Sequence, residues 1–148
     1  MCYSAVEREI NMQRRYYEWS MLLLRLCLGI TFLAHGLQKI SGFAGIVKFF
    51  ASLGLPTVAV YLVTGIETIG GIALILGLFT RIAAAAISFV MLGAIFTVKL
   101  SMGFVGGYEF ELSLLISAIA LALSGSNILS LGALLGSTKQ SASEKKVV

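Results

Sequence analysis

The sequence predicts an all-α integral membrane four-helix bundle with a short interfacial amphipathic helix between the first and second spans. Three observations carry that expectation. Hydrophobic residues make up 58% of the 148 positions and charged residues 12%, whereas a soluble domain carries about 25% charged residues. Apolar runs of about 20 residues, long enough to cross a bilayer, are separated by short polar or glycine-rich links. Arg25, His35, Lys39 and Glu67 lie within or at the ends of those runs, and an ionisable side chain inside a span needs either a partner on another helix or a function.

At this length the chain is one small domain with no room for a separate soluble catalytic module. Its formal charge of +4 falls at the ends of apolar segments and not in one patch. The basic residues therefore read as topology signals, and no nucleic-acid partner is expected. Cys2 and Cys27 are the only cysteines, so no CxxC pair exists to exchange disulfides or hold zinc. Cys27 reads as a small apolar packing residue. With one histidine and no aspartate, no metal centre is expected, haem and carboxylate-bridged sites included.

Residues 1–18 form a mixed-charge cytoplasmic lead ending in Tyr16, Tyr17 and Trp19, aromatic types that suit a membrane boundary. Arg14-Arg15 ahead of an apolar run resembles a signal-peptide n-region, but no small-x-small cleavage site follows, so the first helix is expected to stay uncleaved. Met12 is an alternative start. Residues 19–135 form the four-helix membrane domain. Its first helix runs from about Trp19 to Gln38. Between Ser41 and Leu55, Phe43, Ile46, Val47, Phe50 and Leu53 recur at three- and four-residue spacing opposite Lys48 and Ser52. That is the pattern of an amphipathic helix lying in the interface. Gly54 ends it, and Pro56 begins the second span, since proline is tolerated in a first helical turn.

The second span, about Pro56 to Phe79, carries Glu67 near its middle. Gly65, Gly70, Gly71 and Gly77 give it a small-residue surface for close helix packing. The third, about Ile82 to Leu100, closes with Lys99. After the link MGFVGGYEFE the fourth runs from about Phe110 to Leu131, unless Gly125 to Asn127 end it early and leave Ile128 to Leu135 interfacial. Ser113, Ser117, Ala120 and Ser124 stack on one face of it and are expected to pack inward. Small-residue faces on the second and fourth spans serve an intramolecular bundle or a homo-oligomer equally well. Residues 136–148 are polar and expected to be disordered.

Four spans put both termini on one side with Arg8, Arg14, Arg15, Arg81, Lys139, Lys145 and Lys146, which the positive-inside rule assigns to the cytoplasm. A rise of about 1.5 Å per residue places Arg25 roughly 9 Å in from Trp19. It places Glu67 roughly 15 Å in from the opposite boundary, close enough for a long side chain to bridge the remaining height. Two polar layers follow: a central Arg25–Glu67 pair, and an outer cluster of His35, Lys39 and Glu111. The central pair reads equally as an interhelical tie and as a proton-handling site. His35 is either a satisfied interfacial histidine or part of a proton relay. Lys39 and Arg81 also suit headgroup snorkelling.

The segments RLCLGITFLAHGLQKI, GLP, GIETIGGIALILGLFTR and GYEFELSLLISAIALALSG resemble the DoxX family of small bacterial four-helix membrane proteins. The ordered set Arg25, Gly29, His35-Gly36, Lys39, Glu67, Gly70-Gly71, Gly77, Thr80-Arg81 and Glu111 carries the likeness, which covers about Leu22 to Gly125. It is nearest the branch of membrane oxidoreductases linked to catechol and quinone response. The resemblance implies a protein of the bacterial inner membrane acting in quinone-linked or thiol-linked redox chemistry.

No GxGxxG follows a strand to bind flavin or nicotinamide, so the chemistry would belong to a bound quinone or to a redox partner protein, with no covalently held cofactor. Arg25, His35, Lys39, Glu67 and Glu111 are the candidate ligand-binding residues, and Arg25, His35 and Glu67 the candidates for proton transfer. The alternatives are a non-catalytic module that binds or moves a phenolic solute, and a membrane anchor for a soluble oxidoreductase.

Overall fold

The computed structural model describes residues 2–126, 128 and 130, with side chains from residue 6 onward. Helix α1 runs Cys2–Ser41, α2 Phe43–Ser52, α3 Thr57–Leu76, α4 Thr80–Ala94 and α5 Glu109–Ser124. The α4 rod continues through a π turn, Ile95–Lys99, and a 3-10 turn, Leu100–Met102. Among the described residues four helical stretches are long and apolar enough to cross a membrane: Val6–Ser41, Thr57–Leu76, Thr80–Met102 and Phe104–Ser124. They pack in a ring, α1 on α3, α3 on α4, α4 on α5 and α5 back on α1. Leu28, Phe32, Leu74, Ile87, Leu115 and Leu121 fill the centre. The outer surface is as apolar as the inside: Ile69, Phe89, Phe96 and Leu123 are each two-thirds or more exposed, which suits a lipid surround and not water.

Gly54 and Gly125 break the chain where the sequence predicts, whereas the second span, expected to run to Phe79, ends at Leu76 because Gly77 caps it. Gly54 takes a left-handed φ of 74° after α2, Gly77 one of 69° after α3 and Gly125 one of 70° after α5, the conformation glycine adopts at least cost. Pro56 stands one position earlier than expected, as the residue that caps α3. The fourth span ends at Ser124, so the longer expectation to Leu131 is corrected. Phe104–Tyr108 carries non-helical backbone at Val105 and Gly106 and re-aims the chain into α5. The interfacial segment expected at Ile128 to Leu135 and the tail from 136 fall outside the described residues, apart from positions 128 and 130.

Two further expectations are corrected. Helix α1 does not begin at Trp19 but extends back to Cys2. Residues 6–18 contain no glycine or proline, so nothing stops the helix at the aromatic boundary. On α5, Ser113 and Ala120 are exposed, while Leu115, Ala118 and Leu121 face the core. The Ser113 hydroxyl needs no interhelical partner, while that of Ser124 also reaches Met21 Sδ of α1 at 3.0 Å. Ser113 donates to the Glu109 carbonyl at 2.9 Å and Ser124 to that of Ala120 at 2.7 Å, the back-bonding that lets serine sit on an apolar face.

The α1–α3 seam is the closest in the bundle. A Cβ at Gly29 would stand 2.8 Å from Ile75, and one at Gly71 would stand 2.6 Å from the Leu33 backbone nitrogen. A Cβ at Gly36 would collide with Thr68. Of the three α3 glycines and Gly77 after it, only Gly71 belongs to this seam. Gly70 faces Ile87 of α4, Gly65 meets nothing within 4 Å, and Gly77 serves the turn. These contacts fix an antiparallel register that decides which polar groups meet.

Candidate functional site

In that register Leu37, next to Gly36, stands level with Glu67, next to Thr68. Arg25 is twelve residues from Leu37, about 18 Å along the axis. Side chains on a helix also tilt toward its N-terminus. Arg25 therefore leans toward the N-terminal end of the bundle, while Glu67 on the antiparallel α3 leans the opposite way. The expected Arg25–Glu67 pair does not form.

Glu67 instead accepts from Lys39, Nζ to Oε2 at 2.5 Å, with the carboxylate side chain 4% exposed and the ammonium side chain 20%. Lys39 leans inward from the last turn of α1 and Glu67 leans outward to meet it. The short distance and the burial describe a charge-assisted hydrogen bond. A carboxylate this buried needs such a partner, since an isolated charge there is costly.

The outer cluster is likewise rearranged. Lys39 leaves it for Glu67, and Glu111 pairs with Lys99 at 3.6 Å, joining the first turn of α5 to the end of the α4 rod. Glu111 Oε2 is buried without a hydrogen-bond partner among the described residues. His35 is half-buried and faces Phe110, ring centroids 6.5 Å apart, the α5 residue adjoining Glu111. Glu109 is exposed and accepts from the Gly106 amide at 3.1 Å, closing the link before α5.

Arg25 is the largest fully buried side chain, 1% exposed. Its Nη1 lies 3.5 Å from the Ser126 carbonyl oxygen and packs under the α3–α4 turn, where a Cβ on Gly77 would come within 2.5 Å of it. Arg81 donates from Nη2 to the Ser124 carbonyl at 3.3 Å. Two cations thus serve the C-terminal end of α5, the negative end of its dipole. Ser130 ties the same knot by donating to the Gly77 carbonyl at 3.0 Å. Arg25 belongs to this closure, far from the Lys39–Glu67 pair.

The Lys39–Glu67 pair opens into a cavity of about 430 Å³ beneath α2, between α3 and α4. Phe49 and Phe50 of α2, with Leu53 just after it, roof it, and Val90 and Ala94 of α4 form the far wall. Helix α2 is held over the opening by Phe43, whose ring meets Tyr61 of α3 at 5.0 Å between centroids. A pocket of this volume, mostly apolar with few convergent polar groups, is the usual form of a small-molecule site. One of the three Lys39 N–H donors is used by Glu67, and others remain for an oxygen acceptor. The amphipathic pattern of α2 was readable, but Phe89 and Gly93 on α4 were not identified in advance as site residues. Their only signal was a glycine four residues from an aromatic in an otherwise bulky span. Among the described residues no three His, Cys, Asp or Glu side chains gather to hold a metal.

A helical membrane protein with four helices long and apolar enough to cross a bilayer, and an aromatic-roofed pocket on a buried ion pair, is the class that fold and site define. Residues 20–100 match the DoxX family, and the chain belongs to that family. The matched stretch includes Arg25, His35, Lys39 and Glu67 and stops short of Glu111. A Bacillus subtilis (strain 168) relative named "Putative oxidoreductase CatD" is 45% identical over 115 residues, 78% of this chain and 86% of that protein. "Inner membrane protein YphA" of Escherichia coli (strain K12) is 32% identical over 87 residues, 53% of this chain and 62% of that protein. "Inner membrane protein YqjF" from the same strain is 34% identical over 64 residues, 43% and 49% respectively. No solved structure matches the chain.

Proposed function

We propose that this inner-membrane protein is a component of a quinone-linked oxidoreductase that holds a quinone or related aromatic in the pocket beneath α2. The observation that carries the reading is the Lys39–Glu67 pair, its carboxylate more than nine-tenths buried, opening into an aromatic-roofed cavity. The oxidoreductase name of the Bacillus subtilis relative supports the redox class. A quinone supplies chemistry in which two electrons and two protons convert it to the hydroquinone, and the electrons come from a partner redox protein. Lys39 donates a hydrogen bond to the ring oxygen nearest it. Glu67 holds and aims the ammonium through their 2.5 Å hydrogen bond, and the pair is the route by which a proton reaches that oxygen. The Phe49 and Phe50 rings give the planar ligand flat apolar contacts and keep water from the pair.

The chain crosses the membrane four times with both termini in the cytoplasm, which sets Lys39, Glu67 and α2 toward the outer face. Arg8, Arg14, Arg15 and Arg81 on the opposite side support that orientation. With Cys2 and Cys27 replaced by serine, a cysteine introduced by Ser52→Cys should react with an impermeant maleimide added to intact cells. Labelling only after lysis overturns the orientation.

The functional test is quinone binding to mildly solubilised protein, followed by native mass measurement and titration with a short-chain benzoquinone. The native chain should bind, while Glu67→Gln and Lys39→Met should each lose tenfold or more. Equal binding by all three, with thermal stability lowered in the two variants, would make the pair purely structural.

A further inference from the structure

The pocket is not sealed on the side away from the ion pair. Along α4 and the π turn that continues it, Phe89, Gly93 and Thr97 recur at four-residue spacing, line the cavity and are exposed. The neighbouring stripe of Val90, Ala94 and Val98 is half-buried. Across the opening, Phe49 of α2 is 44% exposed, while Phe50 and Leu53 are half-buried. The cavity therefore runs outward from Lys39 and Glu67 to a mouth between α2 and α4. That mouth lies on the apolar outer surface of a helix that crosses the bilayer. Gly93 forms a notch between Phe89 and Thr97, and a Cβ there would meet nothing within 4 Å. The α3–α4 contact of Gly70 with Ile87 sets Val90 level with Glu67, so the notch lies nearer α2 than the ion pair does.

From this geometry we infer that the mouth is a lateral port, and that the ligand is a lipid-soluble quinone whose apolar tail leaves through the Gly93 notch into the bilayer. The inference rests on the quinone reading above and deepens it. About 430 Å³ accommodates a substituted ring with a short stub of chain. A long tail must lie outside, and the described opening leads to where lipid acyl chains would be. A water-soluble phenol, by contrast, would gain nothing from an apolar exit. The two polar groups sit at the inner end and the apolar rim at the outer end, matching a molecule with a polar ring and a greasy tail. Exposure of Phe89, Gly93 and Thr97 along one stripe gives the tail a track down the α4 surface.

The test uses the full chain in lipid nanodiscs with two probes, a benzoquinone bearing a decaisoprenoid-type or decyl chain and the same ring without it. Gly93→Leu adds bulk at the notch, starting from a Cβ that meets nothing within 4 Å. It should weaken the chain-bearing probe at least tenfold more than it weakens the tail-less ring. A second variant serves if Gly93→Leu folds poorly. In a Trp19→Phe background, Phe89→Trp places the single indole at the mouth, where the bound chain-bearing probe should quench its fluorescence and a Glu67→Gln change should abolish that quenching. Equal affinity for both probes, with Gly93→Leu indifferent to the tail and no quenching at the mouth, overturns the port while leaving quinone binding intact. Failure of both probes to bind the native chain overturns the quinone reading and the port together.

Discussion

Lys39 and Glu67 are the residues whose chemistry depends most on each other. Glu67→Leu leaves a largely buried ammonium without its partner. Removing one member of a buried pair costs about 3–5 kcal/mol, and because Lys39 keeps a fifth of its surface the loss should fall near the lower figure. Combining Glu67→Leu with Lys39→Met should restore most of that stability and none of the ligand binding, as a double-mutant cycle of thermal unfolding and quinone titration will register. The glycines make a second contrast. Gly71→Ala drives a Cβ to 2.6 Å from the Leu33 backbone nitrogen and should destabilise by about 2 kcal/mol, in the range for overpacking. Gly65→Ala meets nothing within 4 Å and should be neutral or slightly stabilising, because alanine is the better helix former. Equal losses for the two would contradict the α1–α3 register.

Among the elements, α2 and the α3–α4 turn have different duties. Helix α2 contains no fully buried residue and is held by contacts such as Phe43 with Tyr61, so it covers the pocket without supporting the bundle. Phe50→Ala should therefore lower ligand affinity severalfold while shifting the melting temperature little, a split readable by titration and thermal scan on one sample. The turn is the reverse case. Gly77 combines a left-handed φ with contact against buried Arg25, and Gly77→Ala should cost at least about 1–2 kcal/mol, the usual penalty for forcing an L-residue into that region. Ligand affinity per folded molecule should be unchanged. Phe79 already sits in the left-handed region at φ 46° with its ring three-quarters exposed, so this tight turn has little room for further strain.

At the scale of the molecule, the ring of four antiparallel helices separates two polar ends. One end is a closure, where Arg25, Arg81 and Ser130 serve backbone carbonyls around the α3–α4 turn and the end of α5. The other holds the Lys39–Glu67 pair, the Lys99–Glu111 tie across the α4–α5 link, and His35 against Phe110. The division puts the backbone closure at the N-terminal end and the buried ion pair with its pocket at the end roofed by α2. Substituting Arg81→Met, which removes a donor to the Ser124 carbonyl, should lower thermal stability by about 1 kcal/mol without altering quinone affinity. A matched loss of affinity would show the two ends to be coupled.

The class of the chain was legible from composition, because a bilayer permits few charges and demands that backbone groups be satisfied within helices. The spans, the amphipathic helix and most breaks followed from periodicity and from Gly54, Pro56 and Gly125, since local backbone preference acts over a few residues; the end of α3 at Gly77, short of the expected Phe79, did not. The ionisable set Arg25, His35, Lys39, Glu67 and Glu111 was also readable, as were the family motifs. Pairing was not. Arg25 was expected to meet Glu67 because heights were counted inward from Trp19 and Pro56, but the true register is set by Gly29, Gly36 and Gly71 meeting backbone and side chains of the facing helix. That seam shifts the two residues about 18 Å apart and brings Lys39 to Glu67. The sequence by itself determined which polar groups lie in the membrane domain. Only tertiary packing decided which of them meet, because helix register is fixed by close contacts between residues distant in the chain.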